Sequence, residues 1–144
     1  MRQNTTAIQA SVRQAMVADD TGILYQQLAY PIALTGRAGG ADLTDEELAR
    51  LGTYLIATVR LRENQWLQYQ NGVLDERTWL TYQTALPAVF STEFFRGWWR
   101  NRSSRGEFDA GFVAMVDELF EQHPVGSSRS VREAVGFDPL VVDQ

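Results

Sequence analysis

The chain has 144 residues, with 18 acids, 13 bases and no cysteine. Every base is an arginine, which removes thiol nucleophiles, cysteine-held zinc or iron–sulfur clusters, lysine Schiff bases and a Walker-type lysine together. A net charge of −5 argues against a general nucleic-acid binder, which needs a basic face to neutralise phosphates.

The first nine residues, Met1–Gln9, are polar and lack the apolar centre of a signal peptide. No stretch approaches the ~20 continuous apolar residues of a membrane-spanning helix. Thr5–Val17 carries a weak helical stripe of Ile8, Val12, Ala15 and Met16. A separate short helix is expected over about Gly22–Tyr30, with Asp19-Asp20 at its start and Pro31 at its end. Gly36–Asp42 reads as a flexible connection.

Leu43-Thr44-Asp45-Glu46-Glu47-Leu48 is a capping box: Thr44 accepts from the Glu47 amide, Glu47 reaches back, and Leu43 staples onto Leu48. From there Leu48, Leu51, Leu55, Val59, Trp66 and Tyr69 recur at spacings of three, four or seven. They make one apolar stripe along a helix of about 45–71. Asn71-Gly72 stops it, with Gly72 suited to a left-handed cap. Asp75 then caps a partner helix, about 75–90, bearing Trp79, Tyr82, Leu86 and Val89, with Leu74 stapled to Trp79. The loop between them is short, so the two should pack as an antiparallel hairpin.

Pro87 lies inside the second pattern and predicts a kink or break near Ala85–Leu86. Ser91 is the expected cap of a short helix with Phe94, Phe95, Trp98 and Trp99, followed by a loop at Asn101–Gly106. Asp109 caps a last helix that turns Phe112, Met115, Val116, Leu119 and Phe120 inward and ends near Gln122. The expected fold is all-α, an antiparallel bundle of about four to six helices. One domain over residues 1–122 would carry a poorly ordered tail over 123–144, with one helical turn around Val131–Ala134.

Two groups of residues are candidates for chemistry. The segment from Phe94 to Arg105 sets Arg96, Arg100, Arg102 and Arg105 beside Trp98 and Trp99. Arginine forks bind carboxylates and phosphates, and tryptophan suits an interface, so the patch fits an acidic partner or lipid head groups. Alternatively, one tryptophan fills the core while arginine stems cover its edges and Glu93 or Glu107 balances the charge. The second group is polar: Glu63 and Gln70 fall close to the stripe of the long helix, one turn either side of Trp66. With Trp79 and Tyr82 they could line an aromatic ligand pocket. The competing reading is a buried network in which Arg60, Arg77 or a tyrosine hydroxyl satisfies Glu63. His123, the one histidine, suits a helix C-terminus and supports neither a Ser-His-Asp set nor a helical metal site. No metal, cofactor or nucleic acid is expected.

Beyond these readings, Arg2-Gln3-Asn4-Thr5-Thr6-Ala7-Ile8-Gln9-Ala10-Ser11 resembles the juxtamembrane segment of a bacterial family of uncharacterised single-pass proteins. Its members look like QIRQNTRAIQAS directly after one N-terminal transmembrane helix. The resemblance continues through Glu63-Asn64, Gln70, Gly72 to Glu76, Trp79, Phe94 to Trp99, Phe108, Phe112-Val113, Val116 and Asp117. It covers most of residues 2–120 as spaced motifs rather than one signature. What it implies is location: an extramembrane helical domain, with Met1 standing where a membrane helix would end. The chain departs from the pattern in lacking that helix and in having Pro87. Arg2 and Arg13 beyond such a span favour the cytoplasmic side. The resemblance carries no catalytic residues. The resulting expectation is a membrane-anchored, non-enzymatic domain that binds a protein partner or self-associates. Its rivals are a small-molecule sensor or carrier and, more weakly, a hydrolytic enzyme using Glu63 as general base.

Overall fold

A computed structural model describes residues 2–29 and 43–125. The connection expected at Gly36–Asp42 and the turn at Val131–Ala134 lie outside the described residues. The described residues form six helical segments, α1 (Arg2–Ala29), α2 (Asp45–Gln70), α3 (Glu76–Gln83), α4 (Ala85–Val89), α5 (Glu93–Ser103) and α6 (Ala110–Gln122), and no strand. The fold is all-α.

Helix α2 begins where the capping box places it, with the Glu47 amide donating to Thr44 Oγ1 and the Thr44 amide to the Glu47 carboxylate at 2.8 Å. It ends in a Schellman arrangement: the Gly72 amide donates to the Tyr69 carbonyl and the Val73 amide to the Gln68 carbonyl, each at 2.9 Å. Gly72 sits at φ 73°, a left-handed conformation that glycine adopts without a Cβ clash. Asp75 caps α3 by accepting from the Thr78 amide at 2.8 Å, and Leu74 and Trp79 are both buried. Tyr69 stacks on Trp79 and Arg62 lies over Tyr82. The contacts step back along α2 as they step forward along α3, which is the antiparallel hairpin.

Three local expectations need correction. Residues 2–29 form one helix, not two. The segment Ala18-Asp19-Asp20-Thr21 contains no proline, and Asp20 works mid-helix by pairing with Arg62 at 2.9 Å. The kink or break expected near Ala85–Leu86 is found as a break at Thr84, after which a short helix, α4, resumes across the proline. A proline at 87 has no amide to donate and crowds the carbonyl four residues back, at Gln83, where α3 ends. The cap of α5 is Thr92, not Ser91, with Thr92 Oγ1 accepting from the Phe95 amide at 3.3 Å. Finally, α5 runs on to Ser103, so the expected loop at Asn101 starts later.

The core lies where α2, α4, α5 and α6 meet. Leu51, Leu55 and Val59 of α2 face Leu86 and Phe90, Phe95 and Trp99 of α5, and Phe112, Val116 and Phe120 of α6. The rings of Phe90 and Phe120 are 5.5 Å apart and those of Trp99 and Phe108 5.6 Å, the offset spacing that aromatic quadrupoles favour. Helix α1 lies on the outside of this body. Met16 is buried, Ile23 packs on the core, and Arg13 pairs with Asp75.

Candidate functional site

Glu63 is the buried carboxylate that the sequence singles out, 8% exposed. Its Oε1 accepts from the Asp109 amide at 2.6 Å, and its Oε2 accepts from Arg60 Nη1 at 2.7 Å. The first of these amides belongs to the residue that caps α6. Glu63 thus holds a negative charge against the N-terminus of α6, the sign its dipole favours. Both oxygens are engaged, which is the arrangement a buried carboxylate needs. Trp66, one turn on, lies against the same end of α6: its ring is 6.0 Å from that of Phe112. A Cβ added at Gly111 would come within 2.8 Å of the Trp66 ring, so glycine there is what lets the indole approach.

The other members of the predicted polar centre go elsewhere. Gln70 is exposed. Trp79 is buried on Tyr69, with the rings 12° from parallel, and Tyr82 lies under the Arg62 guanidinium at 5.6 Å. Glu63 and Trp66 therefore meet α6, while Trp79 and Tyr82 meet the neighbouring face of α2. A groove of about 770 Å³ between α3, α4 and the end of α6 is lined by Leu80, Pro87, Leu119 and Pro124 among others. A second, of about 400 Å³, runs between α1, α2 and α4. None of the five predicted pocket residues lines either groove.

The arginine–tryptophan segment is divided only in part: Arg96, Trp99 and Arg100 line one groove of about 570 Å³ between α5 and α6, while Trp98, Arg102 and Arg105 lie outside it. Trp99 is 1% exposed, and its indole N–H donates to Asp117 at 2.8 Å. Trp98 is half-buried against Phe90. Arg100 pairs with Glu93, Arg102 with Glu107 at 2.6 Å, and Arg105 donates to Asn101 at 2.7 Å. Arg96 turns inward, 7% exposed, and lies 3.9 Å over the Phe120 ring. Its Nε donates to the Phe90 carbonyl, its Nη1 to the Phe120 carbonyl at 3.0 Å and its Nη2 to the His123 carbonyl at 2.6 Å. Those acceptors close the C-terminal ends of α4 and α6. Burial pushes the Arg96 pKa below its usual value, yet a guanidinium stays charged at neutral pH. His123 itself is the C-cap of α6, its Nδ1 2.9 Å from the Leu119 carbonyl.

Four buried polar residues, Thr58, Arg62, Gln65 and Thr92, are not singled out by the sequence. Gln65 is fully buried and accepts from Arg62 Nη1 at 2.7 Å, while Gln65 Nε2 and Arg62 Nε have no partner. The available signal was a second stripe, Thr58, Arg62, Gln65 and Tyr69, running beside the apolar one. A helix covered on two sides buries both. Among the described residues no three acidic or histidine side chains converge on a metal position, and no helix is long and apolar enough to cross a membrane. Comparison with family models, curated proteins and solved structures finds no match.

Proposed function

We propose that this chain is a non-enzymatic, extramembrane helical domain of a single-pass membrane protein, acting by contact with another protein or with its own copies. One observation carries the reading. Helix α1 leaves Val17, Leu24 and Tyr25 at 58%, 59% and 66% exposure, while Arg13 and Asp20 are paired to the body behind it. Contiguous exposed apolar surface marks contact sites, and these side chains share one helix. The two polar groups with the look of chemistry, Glu63 and Arg96, are engaged with the ends of α6, which supports a structural role for both. The resemblance of Arg2–Ser11 to a juxtamembrane segment supports an anchor ahead of α1, and Arg2 and Arg13 favour its cytoplasmic side.

The test is a photo-crosslinking amino acid at position 25, in cells making the chain with its natural N-terminal flank. Adducts are expected in the membrane fraction at position 25 and not at Glu118, on the exposed side of α6. Equal labelling at the two positions, or a chain confined to the soluble fraction, counts against the reading.

A further inference from the structure

A surface helix ordinarily turns its charges to water and its apolar stripe to the body. Helix α1 does this only in part. Between Asn4 and Tyr25 its charged residues are Arg13, Asp19 and Asp20. At 100° per residue all three fall on the half of the helix that carries Met16 and Ile23, the side chains packed on the body. The opposite half, Asn4, Ala7, Ala10, Ser11, Gln14, Val17, Ala18, Thr21, Gly22 and Tyr25, with Leu24 at its edge beside the groove between α1, α2 and α4, is exposed and has no charge. Within it Ala7, Ala10, Gln14, Val17, Thr21 and Leu24 repeat at alternating steps of three and four. That is the seam along which two helices pack side by side.

We propose that a second copy of this chain covers this face, α1 against α1 and antiparallel. Copies that each carry a net charge of −5 repel one another overall, so a contact between them is confined to a face without charge. What singles out a second copy is complementarity of size. The face is graded: Ala7, Ala10 and Ser11 lie in its N-terminal half, Val17, Leu24 and Tyr25 in its C-terminal half. An antiparallel pair sets each bulky half on the small half of the other copy, as a two-fold contact requires. Ala7 then meets Leu24, and Ala10 meets Thr21. In a chain anchored ahead of α1, such a pair lies along the membrane surface rather than standing on it.

The area sets the strength. A helix of 28 residues is about 42 Å long and about 10 Å across. Its outer face therefore offers on the order of 400 Å² in projection, about half of what each partner gives to a stable complex. A contact of this size makes the dimer weak and concentration-dependent.

The inference rests on the reading of α1 as a contact surface, and its test separates the two. Sedimentation of the chain across micromolar concentrations should show a monomer–dimer equilibrium. Val17→Glu with Leu24→Glu, at exposed positions that leave the circular dichroism unchanged, should weaken it about tenfold or more, because each carboxylate would be buried unpaired. The chain has no cysteine, so introduced thiols report cleanly. Ala10→Cys with Thr21→Cys should form an intermolecular disulfide, and Ala10→Cys alone should not. A monomer at all concentrations, a dimer indifferent to the glutamates, or equal cross-linking by the single variant overturns the proposal. If the chain stays monomeric while position 25 still labels a different protein, the second copy is ruled out and the contact surface stands.

Discussion

Helices α1 and α6 both lie against α2, yet they are held in opposite ways. Helix α6 buries Phe112, Val116, Leu119 and Phe120, and each of its ends meets a buried charge of the sign its dipole favours. Glu63 sits at its N-terminus and Arg96 at its C-terminus. Among the described side chains of helix α1, Met16 alone is buried, and Arg13 and Asp20 make ion pairs with the body. Helix α6 is fixed by hydrogen bonds to backbone groups that have few other partners. Helix α1 is fixed in part by the exposed Arg13–Asp75 pair, which water and salt can compete for. The protein thus combines a locked core helix with an outer helix free to present a face.

Removing the lock at its basic end should have the largest effect. In Arg96→Met the carbonyls of Phe90, Phe120 and His123 lose their donor together. Hydrogen bonds to charged groups contribute about 1.5–3 kcal/mol each, less than additively, so a loss of about 3 kcal/mol is expected from chemical denaturation. Arg96→Lys should recover only part, because an ammonium cannot span three carbonyls in the plane of the guanidinium fork. A melting point for Arg96→Met within a degree of wild type would mean that the ends of α4 and α6 find other partners.

The acidic end should matter less, since one amide and one half-exposed arginine depend on it. Glu63→Leu leaves the Asp109 amide and Arg60 unpaired and should cost about 2 kcal/mol. Glu63→Gln keeps an acceptor for the amide and should cost about half of that. The ordering of the two variants is the informative result: if both lose the same amount, the charge rather than the hydrogen bond holds α6.

Much of this architecture is legible in the residues themselves. The capping box at Thr44, the stop at Gly72 and the caps at Asp75 and Asp109 are local chemistry, written within four residues of where they act. The apolar stripe of α2 and the hairpin follow from spacing in the same way. What stays illegible depends on distant chain. Nothing near Arg96 says that its partners will be carbonyls up to 27 residues away. The same holds for Glu63 and an amide 46 residues on. Proximity in sequence made Arg96, Trp98, Trp99 and Arg100 look like one patch, whereas the turn of α5 sends Arg96 and Trp99 inward and Arg100 outward. The Asp19-Asp20 pair looked like a helix start because its partner, Arg62, belongs to a different helix.

The smallest expected effect separates the two modes of attachment by pH. The Asp75 carboxyl lies below its usual range, first because it accepts from the Thr78 amide and then because Arg13 of α1 stands beside it. A pKa lower in the folded than in the unfolded chain means that the ionised group stabilises the fold. That contribution is full above the unfolded value of about 4 and is lost as pH falls through the folded one. Asp75→Asn retains a capping side chain but not the charge. Its melting point should therefore sit slightly below wild type at pH 7, and the gap should close on acidification past about pH 4. Arg96 does not titrate there, so the much larger gap between wild type and Arg96→Met should stay open over the same range. A gap for Asp75→Asn that ignores pH would show that the cap, and not the charge facing α1, carries the contact. The outer helix would then owe its place to Met16, Ile23 and the Asp20–Arg62 pair.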